Sequence, residues 1–239
     1  MLYTFDSLQR QSGTSNNFDI QLNFAIDAVK SIELMHCSIP NTFYNINSTN
    51  NTFIINESGD VTVTLRNGNY IIADLVTEIT NQLSALTVAT TLDETYTITY
   101  NSNTMHILIS STGSFSLSFG NSFLYKVIGF DNETYDDVSN AIESVNSVDL
   151  NVVKNFLINL NGYKQGQIAT NLNHVYTFII PVTGSPGELI HYNMSDFDQK
   201  INLNDVRIDL MHAEIRDQDY NFLDLNNANF VFTLKIINK

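Results

Sequence analysis

Cysteine, tryptophan and proline are scarce in this sequence. Its 239 residues include one cysteine, no tryptophan and three prolines. A single cysteine excludes an internal disulfide, so the fold must rest on a packed core, which a chain of this length can bury. Cys37 lies in an apolar segment, where a free cysteine usually behaves as a small buried hydrophobe. A nucleophilic Cys37 is the less favoured alternative.

Basic residues and long apolar runs are also few. Eleven Lys and Arg stand against 25 Asp and Glu, a net charge of −14. Direct binding of nucleic acid needs clustered cations that release counterions, and no such cluster occurs, so we expect none. No stretch approaches 18 apolar residues, and the first residues lack the pattern of a secretion signal. We therefore expect neither a membrane span nor a secretory signal.

The residues that are abundant favour β-structure. Asparagine occurs 32 times, and phenylalanine and tyrosine together supply 26 residues. Asparagine suits turns, whereas threonine and the aromatic residues suit strands. Many short apolar runs separated by asparagine-rich turns therefore indicate an all-β protein.

The apolar patterns predict many strands and two helices. Phe18–Phe24 alternates strictly, which predicts a strand with Phe18, Ile20, Leu22 and Phe24 facing the core. Apolar residues spaced three and four apart predict a helix near residues 70–86, and a second is expected at 121–128 before Gly129. The other predicted strands are Val29–Ile39, Thr52–Ile55, Val61–Leu65, Tyr96–Tyr100, Met105–Ser110, Ser114–Phe119, Asn155–Asn161, His174–Val182, Val206–Met211 and Phe230–Ile236.

This arrangement favours a single jelly-roll β-sandwich with two short inserted helices, because the strands are too dispersed for βαβ units. Residues 131–150 are acidic and polar, which predicts a loop. No linker is apparent, so we expect an N-terminal arm at residues 1–17 followed by one jelly-roll domain at residues 18–239. The arm has apolar anchors at Leu2, Tyr3, Phe5 and Leu8. In the alternative interpretation, Tyr3 and Phe5 belong to an edge strand.

No residue pattern predicts catalysis. The nucleophile elbow, the P-loop and the dinucleotide-binding fingerprint do not occur. The histidines show no metal-binding spacing, although His36, His106, His174, His191 and His212 could converge in space. Asp196 with Asp198, and Asp217 with Asp219, are weighed as Ca²⁺ ligands and interpreted as turn carboxylates. Glu78 and Glu94 lack the partner that a glycosidase needs. We expect no catalytic residue, no metal and no cofactor.

Several segments resemble one family in order and spacing. Ser31–Asn47, which contains Ile39-Pro40-Asn41-Thr42-Phe43-Tyr44-Asn45-Ile46, is similar to the early strand and turn of penton proteins. These are minor capsid proteins of virophages, polinton-like viruses and related large double-stranded DNA viruses. The further similar segments are Arg66–Tyr70, Tyr125–Phe130, Phe178–Val182, Gly187–Tyr192, Val206–Leu210 and Phe230–Leu234.

The resemblance covers most of residues 18–237 and implies a structural virion protein without enzymatic activity. It implies a homopentamer at the five-fold vertex of an icosahedral capsid, next to the major capsid protein. On this interpretation the arm residues Leu2, Tyr3, Phe5 and Leu8 contact neighbouring subunits. Some family members carry an inserted second domain, for which 239 residues leave little room.

The alternative function is a carbohydrate-binding β-sandwich, as in a spike or fibre adhesin. Such a protein would stack sugars on exposed aromatic residues such as Tyr44, Tyr135 or Tyr163. The absence of tryptophan weakens this alternative.

Overall fold

A computed structural model describes residues 1–89, 91–167, 174–195 and 199–238. In chain order its elements are β1 (Leu2–Asp6), the 3₁₀ turn η1 (Ser7–Gln9), β2 (Ser12–Thr14), β3 (Asn17–Pro40), β4 (Thr52–Asn56), β5 (Asp60–Thr64), α1 (Ile72–Val88), β6 (Tyr96–Asn101), β7 (His106–Ser111), β8 (Ser116–Ser118), α2 (Leu124–Ile128), β9 (Tyr135–Asp136), β10 (Ala141–Glu143), β11 (Asn155–Leu160), β12 (Gly166–Gln167), β13 (Val175–Tyr176), β14 (Phe178–Pro181), β15 (Leu189–Asn193), β16 (Lys200–Arg216) and β17 (Val231–Asn238). Strands dominate, as the composition predicts.

The elements fall into two compact units. The jelly-roll unit comprises Met1–Phe43 and Val153–Lys239, and the inserted unit comprises Tyr44–Val152. This differs from the single domain expected over residues 18–239. The sequence gives little sign of the division, because no glycine- or proline-rich linker stands at either boundary.

One antiparallel sheet of eight strands builds the jelly-roll unit. The strand order is β1-β17-β3-β16-β11-β14, and β15 and β2 also pair with β3. β3 is 24 residues long and pairs with four strands. Its first half lies against the C-terminal half of β16, and its second half lies beside β17 and β15.

The sheet turns back on itself to form two layers. Val231 pairs with Ser38, twenty positions after Phe18 along β3. In a straight strand that separation is about 66 Å. The ring of Phe18 nevertheless lies 5.5 Å from the ring of Phe230, the residue next to Val231. β3 must therefore bend strongly, so that one strand serves both layers of the sandwich and the core lies between them.

The bend coincides with irregular pairing between β3 and β16. Ala28 and Asp205 each have a φ of 53°, in the left-handed region. Between Ile26↔Ile208 and Gln21↔Leu210, five steps along β3 match two steps along β16. Extra residues of this kind bend a strand and re-aim its side chains. We call residues 22–28 with residues 205–210 the corner.

The corner explains an error in the sequence prediction. Phe18 is buried as expected, but Ile20 and Leu22 are only half-buried, and 87% of Phe24 is exposed. Strict alternation predicts the face of each residue only while pairing is regular. The bulge breaks that regularity, so Phe24 points to solvent.

The inserted unit has its own core. α1 packs through Leu75, Ile79 and Leu83 against residues of two small sheets, β5-β4-β8-β9 and β10-β7-β6. Both predicted helices are confirmed, at Ile72–Val88 and Leu124–Ile128. Gly129 ends α2 with a φ of 83°, and a Cβ there would meet the carbonyl oxygen of Asn146. The predicted loop at 131–150 is partly wrong, because it contains β9 and β10.

Candidate assembly surface

The predicted arm residues lie on an edge strand and the turn that follows it. In β1, Phe5 is 2% exposed and its ring stacks 5.1 Å from that of Phe232, whereas Tyr3 is half-buried. Leu2 and Leu8 are 62% and 68% exposed. The structure therefore places Tyr3 and Phe5 in the edge strand that was the alternative to an irregular arm. Apolar and polar residues do not alternate clearly over residues 1–9, because Phe5 and Ser7 are the only two of these residues that are fully buried.

The outer side of β1 carries backbone groups that pair with no other strand in the described part of the chain. Met1 and Ile236 exchange both of their backbone hydrogen bonds. In an antiparallel pair such residues alternate with residues whose N–H and C=O groups point away. The N–H and C=O groups of Leu2 and Thr4 therefore point away from β17, to the outside of the sheet.

The opposite end of the strand order is closed. In β14, Ile179 donates its N–H to Gln199 Oε1 at 2.7 Å, and Gln199 Nε2 donates to the Ile179 carbonyl at 2.7 Å. The Gln199 side chain thus makes the two hydrogen bonds that a neighbouring strand would make, and the residue is 2% exposed. Covering an edge in this way prevents pairing with another chain. Of the two ends of this strand order, the β14 end is covered by Gln199, and the β1 end is open among the described residues.

A buried carboxylate stabilises the sheet next to the open edge. Glu33 is 5% exposed and receives Lys235 Nζ at 2.7 Å and Lys200 Nζ at 3.1 Å. The hydrogen bond from Lys235 lowers the pKa of Glu33, and Lys200 adds to this effect against the opposing effect of burial. A buried charge is tolerated only when it is paired. These two lysines therefore stabilise the charged, buried carboxylate of Glu33.

A second charged network lies in the other layer of the unit. His212 Nδ1 is 2.7 Å from Asp19 Oδ1, and its Nε2 is 3.4 Å from Glu214 Oε1. Arg216 Nε donates to Glu214 Oε2 at 2.9 Å, and Ser12 donates to Asp19 Oδ2 at 2.6 Å. The network thus connects β2, β3 and β16.

These contacts shift the charge states of the network. Burial lowers the pKa of His212, but its hydrogen bonds to Asp19 and Glu214 outweigh this, so the pKa lies above its ordinary value. Hydrogen bonds from Ser12 and His212 lower the pKa of Asp19. Burial raises the pKa of Glu214, but the hydrogen bond and charge of Arg216, together with the hydrogen bonds from His212 and Asn159, outweigh it and the net shift is downward. Opposite charges therefore stabilise one another here.

The order of groups in this network does not match a nucleophilic triad. In such a triad the histidine takes the proton of the serine, and the carboxylate holds the far side of the ring. Here Ser12 donates to Asp19 and His212 lies on the other oxygen of that carboxylate. The arrangement has the geometry of a structural cross-link between strands.

The other candidate residues are mostly dispersed or already bonded. Cys37 is fully buried, and burial raises the pKa of its thiol. The rings of His36 and His191 lie 6.0 Å apart, and His174 stacks on Tyr220 at 4.1 Å. Among the described residues no three His, Cys, Asp or Glu side chains gather as metal ligands.

The acidic candidates have ordinary structural partners. Asp217 accepts the N–H groups of Asp219 and Asn221, as expected for a turn carboxylate. Asp196 and Asp198 lie outside the described residues. Glu78 accepts the N–H of Arg66, and Glu94 accepts the Thr112 hydroxyl.

The tyrosines proposed for sugar stacking differ in exposure and belong to two different units. Tyr44 is 43% exposed, whereas Tyr135 is half-buried and packs on Phe130 at 5.1 Å. Tyr44 and Tyr135 belong to the inserted unit, and Tyr163 to the jelly-roll unit.

None of the helices in the described part of the chain is long and apolar enough to cross a membrane.

Comparison with known proteins gives a fold and a family. The structure is similar to the crystal structure of the selenomethionine-labelled mavirus penton protein, with a TM-score of 0.57 and 11% sequence identity. The similarity covers 98% of this chain and 98% of that one. It confirms the single jelly roll and, at the level of fold, the resemblance seen in the sequence. No curated protein matches the sequence. A family model matches residues 2–204, more than four fifths of the chain, and the protein belongs to that family, the family of unknown function DUF5901.

Proposed function

We propose that this protein is a penton protein, of which five copies form a ring at each five-fold vertex of an icosahedral capsid. The observation that carries the proposal is the extent of the structural similarity, 98% of both chains. A shared β-sandwich alone would support little, because unrelated functions use that architecture. Here the similarity also extends over the inserted unit.

The surfaces of the jelly-roll unit support a structural role. Most polar side chains that the sequence offered for chemistry are bonded to other residues of the chain. One end of the strand order is covered by Gln199, which limits uncontrolled pairing of edges. We propose that the protein has no catalytic activity, resides in the virion and contacts the major capsid protein around the vertex. The net charge of −14 argues against direct contact with the packaged nucleic acid.

The first test is the size of the assembly. Native mass spectrometry of the purified chain, repeated over a range of ionic strengths, should give a species of five times 26.9 kDa. Ionic strength matters because five chains of charge −14 repel one another, and salt screens exposed charges. Negative-stain electron microscopy should show five-fold rings.

Two outcomes would contradict the penton role. A stable trimer that is retained on immobilised glycans would favour the fibre adhesin instead. A chain that stays monomeric under every salt condition, and that is absent from the vertices of purified particles, would exclude the proposal.

A further inference from the structure

The proposed ring requires two different surfaces on each chain. Head-to-tail contacts close a cycle only when one patch of a subunit meets a second, different patch of the next subunit. The jelly-roll unit has two such surfaces, the corner and the edge strand β1. The inference that follows rests on the proposed function and names the contact within the ring.

The corner provides an exposed apolar anchor. Phe24 is 87% exposed and Leu210 is 40% exposed. Arg207 NH1 lies 2.9 Å from Asp27 Oδ1, and Lys30 Nζ lies 2.7 Å from Asp205 Oδ1. These two ion pairs offset the charges of Asp27 and Asp205, and the exposed Asp209 is a further carboxylate of the corner.

The edge strand provides the complementary features. Met1 is 80% exposed, and Leu2 and Leu8 add exposed apolar side chains at the two ends of β1. The outward N–H and C=O groups of Leu2 and Thr4 can pair with an extended segment of another chain. Gln199 covers β14 at the other end of the strand order.

Charge also favours contact through this unit. The jelly-roll unit has nine basic and thirteen acidic residues, a balance of −4, whereas the inserted unit has two basic and twelve acidic residues, a balance of −10. The inserted unit therefore carries most of the net charge of each copy. Both apolar surfaces belong to the less acidic unit.

We propose that the corner of each chain docks on the β1 edge of the next chain, with Phe24 as the anchor. Exposed aromatic residues that become buried in an interface carry a large share of its binding energy. The corner segment supplies an extended backbone, and β1 supplies open hydrogen-bonding groups flanked by Leu2 and Leu8. Five such contacts, all alike, close the ring.

The first experiment changes one exposed residue on each surface. Phe24→Ser and Leu8→Ser should each raise the concentration at which pentamers dissociate by about tenfold or more, which corresponds to about 5.5 kcal/mol over the whole ring, or about 1.1 kcal/mol per contact. Val138→Ser is the matched control, since Val138 is 77% exposed but belongs to the inserted unit, and it should change nothing. Circular dichroism of each variant checks that the fold is intact, as expected for such exposed side chains.

The second experiment identifies the contact directly. The native Cys37 is fully buried, so engineered cysteines are the accessible thiols. Mild oxidation of a chain with Phe24→Cys and either Leu2→Cys or Leu8→Cys should give covalent ladders up to the pentamer. Phe24→Cys alone should stay unlinked.

The outcomes separate this inference from the proposed function. Two results would overturn the docking contact but leave the penton role standing. One is that Phe24→Ser and Leu8→Ser form pentamers as stable as those of the wild type. The other is that the single variant Phe24→Cys forms covalent dimers. A wild-type chain that never forms pentamers would remove the penton role, and the docking contact with it.

Discussion

At the scale of single residues, His212 connects stability to pH. Its pKa is above the ordinary value of 6.5 in the folded chain, because it lies between Asp19 and Glu214. Its contribution is therefore fully present below the unfolded pKa and is lost as the pH rises through the folded pKa. We predict that the Tm falls as the pH rises above 6.5 and through the folded pKa, and that His212→Gln flattens this dependence.

The matched control for this prediction is His191→Gln, on the exposed part of β15, which should keep the wild-type slope. The carboxylates of Asp19 and Glu214 do not interfere in this range. Their pKa values are lowered, so their contribution is present above their unfolded values and is lost only as the pH falls to acid. An unchanged slope in His212→Gln would show that the network does not couple folding to this titration.

At the scale of elements, β1 is predicted to be essential to the stability of the core sheet. Phe5→Ala removes a ring that is 2% exposed and stacked on Phe232, so it should lower the free energy of unfolding by about 3–5 kcal/mol. Leu2→Ala is the control on the same strand, and at 62% exposure it should change that free energy by about 0.5 kcal/mol or less. Chemical denaturation measures both values.

The same logic decides between an arm and an edge strand. A chain that lacks residues 1–12 should unfold, because it loses β1, the hydrogen bonds of Ser7 and the first residue of β2. If that truncated chain folds and forms pentamers but fails to enter capsids, residues 1–17 act as the arm that the sequence suggested.

Regular elements are predictable from this sequence, and irregular ones are not. The spacing of Leu75, Ile79 and Leu83 predicts α1 because a helix repeats the same geometry over many turns. Alternation alone places Phe24 on the wrong face, because the bulge depends on how many residues of β16 oppose β3. The covering of β14 by Gln199 is not predictable for a similar reason, since a side chain that replaces a strand leaves no periodic signal.

At the scale of the whole molecule, the two units are predicted to be separable. The ring of Phe43, at the end of the first jelly-roll segment, lies 5.9 Å from that of Phe156, near the start of the second. A short Gly-Ser linker in place of residues 44–152 should therefore yield a chain that folds and unfolds cooperatively by circular dichroism. Residues 44–152 expressed alone should fold as well, since they have their own core. An insoluble or unfolded jelly-roll product would show that the unit depends on its insertion.

The sequence shows the class of the whole molecule more readily than its division. Alternating apolar residues and asparagine-rich turns indicate a jelly roll, because each strand carries its own pattern. The insertion is not apparent in the same way, since its boundaries at Tyr44 and Val152 join β-rich segments of similar composition. The pairing of the first residues with the last is also a property of the complete chain.

That pairing has a consequence for the order of events during synthesis. β1 pairs with β17, and β3 pairs with β15, β16 and β17 as well as with β2, so most strand partners of the first forty residues lie among the last fifty or so. The inserted unit is contiguous in sequence and is complete once residue 152 has left the ribosome. Contacts between distant parts of a chain form slowly, and domains generally fold as units during synthesis. The nascent protein therefore carries a folded inserted unit, while most of its apolar N-terminal segment still lacks its partner strands. That segment depends on chaperones or on rapid synthesis until β17 emerges.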